Sequence, residues 1–266
     1  MKVELDNHIV HIATGGRAHR PDAPSVLFLH GSGQSHLTWV LQTRYFAYDG
    51  YNIIAPDFPG HGLSGGPPLT TIEEMADWTS RLLAALSIDK AAVVGHSQGC
   101  LVGLELASRH AVKVSHLCLI ACAAAIPVND YLVTSSVDRL DSAIAMMTGW
   151  GHGQMAHLHD NTQPGHSHLG FGRALMAANQ TDALHADLLA CNAYQGGEAA
   201  AAALTQPCHL ILAGADKMTP VKQGRKLAGL IAHAQLTEIP GAGHMLPSEH
   251  PDEVNAALGQ FLRAGF

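Results

Sequence analysis

The sequence is short of charge, of basic residues and of aromatic rings. Charged residues make up 14% of its 266 positions and aromatic residues 5%. A typical globular chain carries about a quarter charged residues. Apolar residues nevertheless reach 47%, which argues against a disordered chain. Only 15 Lys and Arg stand against 22 Asp and Glu, a net charge of −7, and there is no basic run. That balance argues against nucleic acid and against anionic membrane surfaces as partners. Long apolar runs are missing too: the longest, Leu117 to Pro127, is too short to span a bilayer. Residues Met1 to Asn7 carry charges where a signal peptide needs an apolar core. The cysteines Cys100, Cys118, Cys122, Cys191 and Cys208 are odd in number and form no CxxC pair. They read as reduced thiols in a cytoplasm rather than as a disulfide framework.

Two residue types are abundant, with 27 Gly and 19 His. The histidines make net charge depend steeply on pH near the sequence pI of about 6.2. The length suits one large domain or a domain carrying an insertion. Short apolar runs fit for strands occur at 3–5, 8–12, 25–29, 52–55, 91–94, 114–121, 208–213 and 236–239. Between them lie helical patterns at 72–86, 101–109, 221–231 and 252–262. The first is opened by a Thr71/Glu74 capping box, and Pro251 marks the start of the last. Continuous apolar strands alternating with helices predict a mostly parallel sheet covered on both faces, an α/β class fold. The alternation breaks between 127 and 204, where helical segments at 137–147, 175–178 and 184–193 surround a Gly- and His-rich loop from Gly149 to Gly172. The expected organisation is a core of 1–126 and 205–266 with a helical lid, 127–204, inserted after the sixth strand.

Gly95-His96-Ser97-Gln98-Gly99 follows the strand at 91–94 directly and precedes a helix. A serine on such a sharp strand-to-helix turn is pushed out above the sheet, with the helix N-terminus favouring developing negative charge. A hydroxyl is a weak nucleophile until a neighbouring base takes its proton. His244, at the end of Pro240-Gly241-Ala242-Gly243 after the last strand, is that base. Asp216, just beyond the strand 208–213, is the acid that orients it. Asp130 is the fallback for the acid. His30-Gly31-Ser32-Gly33 closes another strand, and the backbone N–H groups of Ser32 and Gln98 form the expected oxyanion hole. One such donor is worth roughly 3–4 kcal/mol of barrier.

With these residues in this order the chain resembles lid-bearing, carboxylesterase-like serine hydrolases of the α/β-hydrolase superfamily. The motifs are His30 to Gly33, Asp57-Phe58-Pro59-Gly60-His61-Gly62-Leu63-Ser64, Gly95 to Gly99, Asp216 to Pro220 and Gly243-His244-Met245. The resemblance implies an eight-stranded, mostly parallel sheet and Ser-His-Asp catalysis by Ser97, His244 and Asp216, without cofactor or metal. It implies a structural rather than catalytic role for 57–64. The reading adopted for the substrate is a small, largely apolar ester or lactone, and the chain is expected to act as a monomer or homodimer. Relatives with Asp where Ser97 stands dehalogenate or open epoxides, so those chemistries are disfavoured. The same triad also serves carbon–carbon bond hydrolysis, perhydrolysis and slow-turnover ligand sensing, so the substrate stays open.

Trp39, Met146, Met147, Trp150 and Phe171 are candidate pocket residues, with apolar packing as the alternative for each. His152, His157, His159, His166 and His168 read as a solvated loop; a metal set or a pH-responsive lid is the sharper alternative. Arg139 and Arg173 are candidate carboxylate clamps, with a solvated surface position as the plainer reading. Cys100 is read as a small core residue.

Overall fold

The computed structural model describes residues 1–158 and 165–265; His159 lies outside them. Eight strands form one sheet: β1 (Lys2–Leu5), β2 (His8–Ala13), β3 (Ser25–Leu29), β4 (Asn52–Pro56), β5 (Ala91–His96), β6 (Val114–Ile120), β7 (Cys208–Ala213) and β8 (Ala234–Ile239). Their spatial order is β1-β2-β4-β3-β5-β6-β7-β8. β1 and β2 pair antiparallel, as do β2 and β4, and every other neighbouring pair is parallel. This is the expected α/β-hydrolase sheet.

Strands β3, β4, β5 and β7 are buried along their whole length because helices cover both faces. Alternate residues of β3 show the division. Leu27 and Leu29 face the side covered by α2 (Ile72–Ala85) and α3 (Gln98–Arg109), whereas Val26 and Phe28 face the side covered by α1 (Val40–Tyr48) and by Val254, Leu258 and Phe261. α2 starts where the capping box predicts: Glu74 N–H donates to Thr71 Oγ1 at 3.1 Å. The Glu74 carboxylate reaches back one residue further than expected, to Thr70 N at 3.1 Å.

Among the described residues, six helices stand between β6 and β7: α4 (Asp130–Asp138), α5 (Leu140–Gly151), α6 (Gln154–His157), α7 (His168–Ala177), α8 (Ala183–Ala193) and α9 (Gly197–Ala202). Three expectations change here. The helix expected over 137–147 is two helices, broken at Arg139 (φ −149°, ψ 60°), and the first starts earlier because Asn129 caps it, accepting from Leu132 N at 2.8 Å. The expected loop from Gly149 to Gly172 is shortened from both sides, by α5, by α6 and by α7, which Ser167 caps through Gly170 N. α7 therefore replaces the short segment expected at 175–178. Leu132, Ala143, Ile144, Met147, Met176, Leu184 and Leu188 give this region an apolar core of its own. The chain closes with α10 (Val221–Leu230), α11 (Leu246–Glu249) and α12 (Pro251–Gly265), which begins at the expected proline.

Candidate active site

The candidate residues collect at the carboxyl edge of the sheet, where β3, β5, β7 and β8 all end. Ser97 occupies the single residue between β5 and α3, at φ 54° and ψ −118°, a left-handed conformation that costs a non-glycine residue on the order of 1–3 kcal/mol. The turn is held by Ser97 N donating to Ile120 O at 3.1 Å and by Cys100 N donating to Ser97 O at 2.8 Å. Its flanking glycines cannot carry side chains. A Cβ on Gly95 would fall 2.3 Å from Gly99 O, and one on Gly99 would fall 2.2 Å from Leu29 O.

Asp216 follows β7 and His244 follows β8. Asp216 Oδ2 lies 2.8 Å from His244 Nδ1 and accepts from Thr219 Oγ1 at 2.7 Å. Its Oδ1 accepts from Met218 N at 2.7 Å and Thr219 N at 2.8 Å. Burial raises the carboxyl's pKa, but the neighbouring His244 and the Thr219 donors outweigh it, so the net shift is downward. With Nδ1–H directed at Asp216, His244 Nε2 is left as the basic nitrogen. The His244 carbonyl accepts from His96 Nε2 at 2.9 Å. Burial, with His244 beside it, drives the His96 pKa down to about 3, so this packing ring stays neutral.

Gly31 brings the loop after β3 against the Ser97 turn: a Cβ there would sit 3.1 Å from Ser97 Cβ. Ser32 and Ser97 line the same cavities, and Gln98 opens α3, so its N–H belongs to a first turn with no acceptor inside the helix. A small chamber contains Ser97, Ser32, Gly31 and His244 together. From Ser97 a larger cavity of about 370 Å³ extends under the inserted helices, walled by Leu132, Met147, Trp150, Leu188 and Met218, with Lys217 as its one charged lining residue.

The structure thus brings together Ser97, Asp216, His244, Ser32 and Gln98, and it places Trp150 in the cavity wall. Three pocket candidates sit elsewhere. Trp39 is fully buried in the core, its ring 5.1 Å from Phe28 and 6.2 Å from His96, because the chain turns into α1 there. Met146 packs against the apolar core of the inserted helices, and its neighbour Met147 faces the cavity instead. Phe171 lines a separate cavity of about 230 Å³ with His152, His166 and His168. Asp130 is exposed at the start of α4, and Asp216 takes the partnership with His244 for which it was the fallback.

The histidine loop is not uniformly solvated. His152 and His168 are buried; His152 donates through Nδ1 to Thr148 O at 2.9 Å, and burial lowers its pKa to about 4. His157 is exposed, near Gly149 O. Arg139 lies over the Tyr131 ring and Arg173 is exposed, so neither clamps a ligand in the cavity.

Among the described residues, His11, His36 and Asp57 place three potential metal-ligand atoms within 4.8 Å of one another. The Asp57 oxygens are already taken by the His36 ring, the His36 amide and the Leu63 amide, so the carboxylate is satisfied as a structural acceptor. The lining residues with no motif to announce them are Leu132, Leu188 and Cys191, whose Sγ lies 3.5 Å from Ser32 Oγ.

Comparison with known proteins agrees with this architecture. The family model described as alpha/beta hydrolase family matches residues 26–257. A pimeloyl-(acyl-carrier protein) methyl ester esterase of Aromatoleum aromaticum is 28% identical over 256 residues, 90% of this chain and 98% of that protein. A putative non-heme haloperoxidase of Mycobacterium phage D29 is 33% identical over 206 residues, 69% of this chain and 72% of the other. Some other curated relatives are longer, and the match spans 26% of the length of one and 55% of another. Among solved structures, the enol-lactonase from Burkholderia xenovorans LB400 superposes with a TM-score of 0.89 at 23% identity, covering 99% of this chain and 100% of that one.

Proposed function

The chain belongs to the alpha/beta hydrolase family, and from that premise we propose that it is a serine hydrolase cleaving a small, largely apolar carboxylic ester or lactone. The observation that carries the reading is the strained Ser97 sharing a chamber with His244, whose Nδ1 is held 2.8 Å from Asp216. His244 Nε2 takes the Ser97 proton as Oγ attacks the carbonyl carbon. The tetrahedral oxyanion accepts from the Ser32 and Gln98 amides. Collapse expels the alkoxide, which His244 protonates. Water, deprotonated by the same ring, then releases the acid and restores Ser97.

The apolar wall of the 370 Å³ cavity supports an apolar acyl or lactone body. The helices α4–α9 act as the lid, and the buried, free cysteines accord with a cytoplasmic setting. No described helix is long and apolar enough to cross a membrane. Similarity to a haloperoxidase favours one second reading, perhydrolysis, in which hydrogen peroxide replaces water on the acyl-enzyme. Replacing Ser97 by Ala tests the machinery: hydrolysis of a nitrophenyl ester should fall at least about 10⁴-fold. A variant that keeps a comparable rate refutes it.

A further inference from the structure

We propose that Asp187, on α8, is a positioning residue for the oxyanion site, holding with one carboxylate the residues that adjoin Ser32 and Ser97. The inference rests on the serine-hydrolase reading. Asp187 is buried, 1% exposed, within the inserted helices. Its Oδ2 accepts from Gly33 N at 2.7 Å, and its Oδ1 accepts from Gln98 Nε2 at 3.2 Å; the Gln98 amide also reaches the Asp187 carbonyl at 3.3 Å. Gly33 is one peptide beyond Ser32, and Gln98 directly follows Ser97. Both donors of the proposed oxyanion hole are thereby tied to one group outside the core.

The grip on Gly33 is two-sided. Asn179, between α7 and α8, donates Nδ2 to Gly33 O at 2.7 Å and accepts from Gly62 N at 2.8 Å. Gly33 is in the left-handed region, φ 65°, where a Cβ would meet Leu184 on α8 at 3.0 Å. Its peptide planes are therefore set by the inserted segment rather than by the strand that precedes it. Two N–H groups aimed at one oxygen need this kind of fixing, since a displacement of about 1 Å in a reacting geometry can cost about 10²-fold in rate.

Asp187 is itself anchored by His61, whose Nε2 lies 2.9 Å from Oδ2 and whose Nδ1 lies 2.9 Å from Pro59 O. Both ring nitrogens face acceptors, so the ring holds both protons and forms a buried ion pair. Burial opposes that charge, but Asp187 and the Pro59 carbonyl outweigh it, with Asp57 adding to the pull, and the His61 pKa is raised. His30, with its ring 5.1 Å away, is kept neutral by burial and by His61, its pKa lowered to about 4.

The test compares wild type with Asp187→Asn on a nitrophenyl ester and on a trifluoromethyl ketone, whose hemiketal with Ser97 places an oxyanion in the hole. The expected result is a kcat lower by about 10- to 100-fold, a ketone inhibition constant raised by a similar factor, and a KM within about twofold. Asn179→Ala, which releases the Gly33 carbonyl and the Gly62 amide but leaves Asp187 in place, should show the same split at about 3- to 10-fold. It keeps the test decisive if Asp187→Asn does not fold. Either variant folded, with kcat and inhibition constant unchanged, overturns this inference while leaving the hydrolase reading intact. A wild type that neither turns over the ester nor binds the ketone overturns both.

Discussion

His244 presents Nδ1 to Asp216 Oδ2 at 2.8 Å, and Thr219 Oγ1 donates to that same oxygen at 2.7 Å. The carboxylate is thus held by three donors from its own loop before it meets the ring. Asp216→Asn keeps the side chain's shape but offers His244 an amide that stabilises the wrong tautomer. Its kcat should fall by about 10⁴-fold with the circular dichroism spectrum unchanged. Steady-state kinetics within tenfold of wild type would contradict the assignment.

The turn around Ser97 has no room for a methyl group. Gly99→Ala would bring Cβ within 2.2 Å of Leu29 O, a backbone atom fixed in the sheet. Chemical unfolding should show a loss of about 3 kcal/mol or more. An alanine variant as stable as wild type would mean that the turn is looser than described.

The larger cavity predicts a size limit. Leu132 and Leu188 face it from α4 and α8. Leu188→Trp should lower kcat/KM for a nitrophenyl hexanoate at least about tenfold more than for the acetate. Equal effects on the two esters would place the acyl chain elsewhere.

Acid should destabilise the fold. Burial lowers the pKa of His30, His96 and His152 to about 4, 3 and 4. Around pH 5 the unfolded chain therefore binds nearly three protons that the native state does not, and stability there falls by up to about 4 kcal/mol per pH unit. The His61 contribution has the opposite sign. Its pKa is raised, so its stabilisation is complete below 6.5 and is lost only as pH rises through the native value. Urea midpoints should drop between pH 7.5 and 5.0; a midpoint unchanged or higher at pH 5.0 would contradict this account.

What could be read from residues alone follows from how local each signal is. Strands such as Ser25–Leu29 and Cys208–Ala213 are continuous apolar runs because both their faces are covered, and they announce themselves. So do Ser97 and His244, whose glycines mark sharp backbone turns. Met146 and Met147 are different: which of them faces the cavity depends on how α5 is rotated against its neighbours. The break at Arg139 carries no Gly or Pro, and α1 exposes Val40, Tyr45 and Tyr48, so neither gives a clean period. Asp187 did leave a trace, as the lone acid in the otherwise mostly apolar stretch Ala183–Ala193. A carboxylate placed there needs partners, but nothing local shows that they are Gly33, His61 and Gln98.

The central claim is that Ser97 is the nucleophile. Its most direct test is intact-mass analysis after exposure to a fluorophosphonate, with the adduct mapped by peptide sequencing. One adduct per chain is expected, on Ser97, and none in Ser97→Ala. An adduct on another residue, or an unmodified wild type, would contradict it.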